Sequence, residues 1–170
     1  ILAGDDGIEV TLRGLTIRHG RVAEEFEVGG GVRFQGSLVA DSVIVTQNSA
    51  AYGGGIAAAR SFGVAKTLRV VDATLSENVA FTWDGGGILG EDGTSLEIAR
   101  SVLRENSATG QGGGVLYNGS EPAYIVDTLF VANHSDSGGG IRAGCLEMSR
   151  SLVSANVVTG VGGGIVVDGG

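Results

Sequence analysis

Aromatic side chains occur in the segments that precede the first three of six glycine triplets, and acidic side chains accompany them in the first and third. Aromatic faces stack on sugar rings or on a protein partner. Carboxylates accept hydrogen bonds from sugar hydroxyls or coordinate Ca²⁺. The predicted ligand-binding surface contains six residues: Phe26, Tyr52, Trp83, Glu24, Glu25 and Asp84. The alternative is that Phe26 and Phe81 pack into the end of the core and only Trp83 is exposed.

The glycine triplets indicate how these side chains are positioned. The triplets begin at Gly29, Gly53, Gly85, Gly112, Gly138 and Gly162. Each is followed by Val or Ile, and the steps between triplets are 24, 32, 27, 26 and 24 residues. A unit that recurs at 20 to 50 residues is typical of a solenoid, in which each position forms a column along the stacked coils.

An asparagine shortly before each triplet forms a second repeating feature. The predicted ladder positions are His19, Asn48, Asn78, Asn106, Asn133 and Asn156. Stacked side-chain amides can hydrogen bond to the next coil and to nearby backbone at a turn. We expect Asn106 to be buried and bonded to Asn78, Asn133 or adjoining backbone, so that Asn106→Leu costs about 1–3 kcal/mol.

Each unit contains three short segments of β character, with apolar and polar residues alternating and no helical period. Strands that stack in register also explain a charge column six residues before each ladder position. The charge column contains Arg13, Ser42, Asp72, Arg100, Asp127 and Arg150. From Asp72 onward its charges alternate in sign, which stabilises neighbouring strands modestly and sets their register.

Composition excludes several classes of partner. The net charge is −8 and there is no basic cluster, so nucleic acid is not an expected partner. The single Cys145 cannot form an intrachain disulfide, and no apolar run is long enough to span a membrane. Neither a catalytic nucleophile motif nor a metal or cofactor signature occurs, so catalytic residues, metals and cofactors are all predicted to be absent.

The repeats resemble those of polymorphic outer-membrane proteins, a family of autotransporter surface proteins whose repeats carry F-x-x-N and G-G-A-[ILV]. Phe130-Val131-Ala132-Asn133 matches the first motif, and Gly-Gly-Gly-[IV] replaces the second in all six units. Generic right-handed β-helix repeats of secreted bacterial proteins are also similar. The resemblance implies a secreted or cell-surface array that adheres to glycans or to a host or neighbouring cell.

The same fold hosts pectin-lyase-like enzymes, so a polysaccharide lyase or glycoside hydrolase is the alternative function. Asp5-Asp6 and Arg18-His19-Gly20 superficially resemble the catalytic motifs of polygalacturonases. They lie only about half a coil apart, and His19 occupies a ladder position, which favours a structural role for this histidine.

The sequence therefore predicts an all-β, right-handed, single-stranded parallel β-helix of about six coils with three short strands per coil. Residues 1–170 are predicted to form one domain, which is a piece of a longer array. The sequence leaves the oligomeric state open.

Overall fold

The chain folds as a parallel β-solenoid in a computed structural model that describes residues 8–58 and 66–168. Within these residues no helix forms, and every strand pairing is parallel. The strands belong to four sheets, and each coil contributes one strand to each sheet in turn. The fold class is confirmed, with about five coils; the right-handed twist of the solenoid stays a prediction.

The sheets are numbered in the order in which a coil passes through them. Sheet 1 contains Glu9–Arg13, Ser37–Asp41, Lys66–Val71, Thr94–Ala99, Ala123–Val126 and Leu146–Ser149. Sheet 2 contains Thr16–Arg18, Ile44–Thr46, Thr74–Ser76, Val102–Arg104, Leu129–Val131 and Leu152–Ser154. Sheet 3 contains Ser49–Ala50, Val79–Ala80, Ser107–Ala108, His134–Ser135 and Val157–Val158. Sheet 4 contains Val32–Phe34, Ile56–Ala58, Ile88–Gly90, Val115–Tyr117, Ile141–Ala143 and Ile165–Val167.

Sheet 3 corrects the prediction of three strands per coil. Its strands are two residues long and begin directly after each ladder asparagine. A two-residue strand is too short to show an alternating pattern, so the sequence displays no signal for it.

The core is built from the inward-facing position of each strand. Leu38, Leu68 and Leu96 stack in register in sheet 1 and are almost completely buried. The Val or Ile after each glycine triplet also stacks in register in sheet 4, and all of them except Ile165 are buried. Branched aliphatic side chains suit such columns because they pack closely on a pleated surface.

The asparagine ladder is present and continuous. Each side-chain nitrogen donates to the side-chain oxygen of the next coil, from Asn48 through Asn78, Asn106 and Asn133 to Asn156, at 2.9–3.0 Å. The same oxygen also accepts the backbone N–H of the asparagine in the preceding coil. The predicted environment of Asn106 is confirmed, since its amide bonds to Asn78 and Asn133 and the residue is fully buried.

The prediction for His19 is wrong by one position. Thr16 pairs with Ile44 in sheet 2, so His19 stands opposite Gln47 and Gly20 stands opposite Asn48. The backbone N–H of Gly20 donates to Asn48 Oδ1 at 2.9 Å. His19 is exposed instead, at a turn position with φ of 59°.

A second ladder of hydroxyl groups lies at the turn between sheets 1 and 2. Ser101 Oγ accepts the backbone N–H of Ala73, and Thr128 accepts that of Ser101. Ser151 continues the ladder by accepting the N–H of Thr128. Each hydroxyl donates to the carbonyl two residues earlier, so each bridges two coils and closes its own turn.

The three glycines of each triplet meet different requirements. The first has a positive φ in every triplet, for example 58° at Gly53. A Cβ on Gly54 would lie 2.5 Å from the backbone carbonyl carbon of Val79 in sheet 3. A Cβ on Gly55 would lie 2.5 Å from the carbonyl oxygen of Gly87 in the next coil. The triplet is therefore the corner at which the backbone passes closest to the ladder and to sheet 3.

Candidate functional site

Tyr52 and Trp83 form a stacked aromatic pair on adjacent coils. Tyr52 occupies the position directly before a glycine triplet, and Gly53 N–H donates to the carbonyl of Asp84, which occupies that position in the next coil. Trp83 is one residue earlier, and its ring centroid lies 6.0 Å from that of Tyr52 with an interplanar angle of 12°. Trp83 is 47 % exposed, so the pair borders solvent.

An apolar strip on the outer face of sheet 4 supports this pair. The strip contains Ala57, Leu89 and Leu116, which stand in one column and are buried although they face away from the core. Val28 and Tyr52 pack against it. Because one side of Tyr52 packs against the strip, the strip limits the orientation of the Tyr52 ring relative to sheet 4.

Phe26 is exposed but does not continue the column of Tyr52 and Trp83. The isolated bridge between Val28 and Tyr52 shows that Val28 is the residue opposite Tyr52. Phe26 lies two residues earlier, in an irregular segment, and is 79 % exposed. Phe81 is 40 % exposed, so the alternative in which Phe26 and Phe81 enter the core is wrong.

An open groove of about 470 Å³ nevertheless joins Phe26 to Tyr52. Its lining residues are Phe26, Glu27, Val28, Arg33, Tyr52, Ala58 and Glu91. Tyr52 both lines this groove and stacks on Trp83, so one ring connects the groove with the aromatic pair. The three predicted aromatic residues thus form two parts, a groove beside Phe26 and a stack at Trp83, with Tyr52 common to both.

Arg33 supplies the positive charge of the groove. It projects outward from sheet 4 between Val32 and Phe34, which are buried in the core. Its Nε is buried and has no hydrogen-bond partner. Arg142 stands in the same outer column of sheet 4, and there the guanidinium is paired with Asp168 at 2.7 Å and Ser137 at 2.9 Å. Unlike Arg142, Arg33 therefore keeps a buried guanidinium nitrogen without a partner beside the groove.

The three predicted carboxylates do not converge. Glu24 borders a neighbouring groove of about 440 Å³ together with Arg21 and Arg33. Glu25 is exposed and lines neither groove. Asp84 links two coils of the solenoid, because its Oδ1 accepts the backbone N–H of Gln111 in the next coil at 2.7 Å.

Burial governs the acidity of Asp84. Desolvation raises the pKa of this carboxyl above its ordinary value, Glu91 adds to the rise, and the Gln111 hydrogen bond and the charge of Arg142 oppose it. Asp84 is thus better placed to hold the next coil than to accept a sugar hydroxyl.

Within residues 8–58 and 66–168, no three His, Cys, Asp or Glu side chains are grouped so as to hold a metal ion. The calcium role considered for Glu24, Glu25 and Asp84 therefore has no geometric support. Asp5 and Asp6 lie outside the described residues. No helix in the described part of the chain could cross a membrane.

Comparisons with protein-family models, with curated proteins and with solved structures found no match to this chain. The fold and the ladder are therefore established by the coordinates alone, and the resemblance to autotransporter repeats stays a prediction.

Sequence reasoning missed Arg33, Glu27 and Glu91 as lining residues of the groove. Arg33 had a readable signal, because it follows the inward-facing Val32 and must therefore project outward. Glu91 had a similar signal, because it directly follows the sheet 4 strand Ile88–Gly90 and stands two positions after the outward-facing Leu89.

Proposed function

We propose that this chain is a non-catalytic β-solenoid array of a secreted or cell-surface protein, and that it binds a glycan on a surface through Phe26, Tyr52 and Trp83. The observation that carries the proposal is the stacked pair of half-buried Tyr52 and exposed Trp83 beside an open groove. Stacked aromatic rings stabilise neighbouring strands, and a pair that borders solvent also offers a platform on which sugar rings bind.

The spacing of the solenoid supports a chain-like ligand. Successive coils are about 4.8 Å apart, close to the length of one saccharide unit. A polysaccharide lying along the solenoid axis would place successive sugar rings in the groove, on Tyr52 and on Trp83. Arg33 lines the groove, and guanidinium N–H groups can donate to ring oxygens or hydroxyls.

The test is the variant Trp83→Ala, measured on a glycan array and on cell surfaces that retain the wild-type protein. We expect the apparent affinity to fall by at least about tenfold, since a stacked aromatic contributes its buried area and about 0.5–1.5 kcal/mol more. The melting temperature should change little, because about half of the ring is already exposed.

Tyr124→Ala is the matched control. Tyr124 is 50 % exposed on the outer face of sheet 1, away from the glycine corner. Its removal should leave glycan binding unchanged. Binding that survives the double variant Tyr52→Ala and Trp83→Ala would show that the site lies elsewhere.

A polysaccharide lyase or glycoside hydrolase is the second candidate function. The observation that favours it is that Glu27 and Glu91 line the same groove, and paired carboxylates serve glycoside cleavage. The test is the release of new reducing ends or unsaturated products from a panel of polysaccharides. Release by the wild type that is lost in both Glu27→Gln and Glu91→Gln would establish catalysis and refute the non-catalytic function.

A further inference from the structure

The outer face of sheet 2 carries an apolar row that nothing in the described chain covers. Ile44, Thr74, Val102, Leu129 and Leu152 stand in one column, in register from coil to coil. Ile44, Leu129 and Leu152 are among the exposed large hydrophobic residues, at 40 % or more. Rows of exposed apolar side chains bordered by polar ones are typical of interaction surfaces.

The charge column borders this row at the turn between sheets 1 and 2. Its last four members alternate in sign along the axis, in the order Asp72, Arg100, Asp127 and Arg150. Within one chain they form two bidentate pairs, Arg100 with Asp72 and Arg150 with Asp127, at 2.7–2.9 Å. All four side chains are more than two-fifths exposed.

We propose that this face is a self-complementary docking surface, on which a second copy of the chain binds in antiparallel orientation. The two-fold axis would lie in the interface, perpendicular to the solenoid, between the coils of Arg100 and Asp127. This operation places apolar row on apolar row, with Val102 against Leu129 of the other copy.

The same operation pairs every charge with its opposite. Arg100 meets the Asp127 carboxylate of the other copy, and Asp72 meets the Arg150 guanidinium, each pair occurring twice by symmetry. A two-fold axis along the solenoid, which keeps both copies in the same direction, would instead set the charge column against the opposite border of sheet 2, with Asp72 beside Glu77 of the other copy. Only the antiparallel arrangement therefore pairs all four charges of the column with opposite charges.

The donors needed for these contacts remain available. Arg100 and Arg150 each use Nε and Nη2 on the aspartate of their own chain, so Nη1 can still donate. The opposite border of sheet 2 raises no conflict either. There the axis sets Glu105 against Ala132 and Glu77 against Ala155, so no like charges meet.

The expected dimer is weak. About four coils overlap, which covers roughly 300–400 Å² per copy, less than half of what a stable dimer buries. Association should therefore appear only at high concentration, with a Kd of roughly 0.1–1 mM. The net charge of −8 on each copy also opposes association, so salt dependence alone would not be diagnostic.

A set of charge swaps tests the arrangement by sedimentation equilibrium at concentrations up to about 1 mM. The first variant, Asp72→Arg with Arg100→Asp, keeps its intramolecular ion pair but makes all the intermolecular contacts like-charged. We expect its dimerisation to fall at least about tenfold. The second variant, Asp127→Arg with Arg150→Asp, should behave in the same way.

Two mixtures separate this geometry from a structural effect of the swaps. The quadruple variant that carries both swaps restores complementarity, so its dimerisation should return to the wild-type level. The two swapped variants, mixed with each other, should associate as a heterodimer although each is monomeric alone. A wild-type protein that is monomeric at about 1 mM, or swapped variants that dimerise like wild type, would overturn the proposal.

Discussion

Removal of one amide from the middle of the asparagine ladder should destabilise the protein strongly. Asn106 Oδ1 accepts both the backbone N–H and the side-chain N–H of Asn78. Its own Nδ2 donates to Leu75 O and to Asn133 Oδ1. In Asn106→Leu, the two donors of Asn78 and the carbonyl of Leu75 lose these partners in a region from which water is excluded.

The magnitude follows from these lost partners. Leaving a buried polar group without a partner costs about 1–3 kcal/mol. Two stranded donors therefore give about 2–6 kcal/mol for Asn106→Leu, toward or above the upper end of the value expected from the sequence. Urea unfolding followed by circular dichroism measures this loss directly.

Two further variants make the measurement specific. Asn118→Leu is the control, because Asn118 is exposed and makes no side-chain hydrogen bond among the described residues; it should change the unfolding free energy by less than about 0.5 kcal/mol. Asn106→Asp retains the acceptor but turns an ionised oxygen toward Leu75 O and Asn133 Oδ1, so it should be destabilised more at neutral than at acidic pH. An Asn106→Leu protein as stable as Asn118→Leu would refute the reasoning.

Two other substitutions test the contacts that hold neighbouring coils together. Gly54→Ala should cost at least about 3 kcal/mol, because its Cβ would meet the backbone of Val79 at 2.5 Å, whereas Gly144→Ala, whose nearest contact is at 3.7 Å, should be tolerated in the same thermal melt. Asp84→Asn should keep the Gln111 hydrogen bond and make the unfolding free energy less dependent on pH. Burial raises the pKa of Asp84 in the folded protein, so the wild type loses stability as pH rises from about the ordinary value of 3.8. A wild-type-to-variant difference that is equal at about pH 4 and about pH 7 would contradict this sign.

The stacked columns could be predicted because their chemistry repeats. The asparagines and the glycine corners are each required in every coil, so their spacing is visible in the sequence. The hydroxyl ladder was missed because its column changes type, with Val43 and Ala73 preceding Ser101, Thr128 and Ser151. The misplaced His19 also had a readable signal. Each ladder asparagine follows an apolar residue by three positions, as in Phe130-Val131-Ala132-Asn133, and three positions after Ile17 is Gly20.

The candidate site was only half predictable. Tyr52 and Trp83 lie close to the repeat, so counting from the glycine triplets brings them to adjacent coils. Phe26 belongs to an irregular segment, whose path depends on contacts that no periodicity encodes. The groove that joins Phe26 to Tyr52 could therefore not be derived from spacing.

The ladder also makes the stacking of the coils independent of the lengths of the loops. The sequence distance between successive ladder asparagines varies from 23 to 30 residues, yet the hydrogen bonds between them stay at 2.9–3.0 Å. Insertions and deletions of up to seven residues are thus already tolerated between coils. A loop on this scaffold can be lengthened, shortened or exchanged during evolution without a change in the strands and ladder that stack the coils. New recognition surfaces can therefore arise one coil at a time.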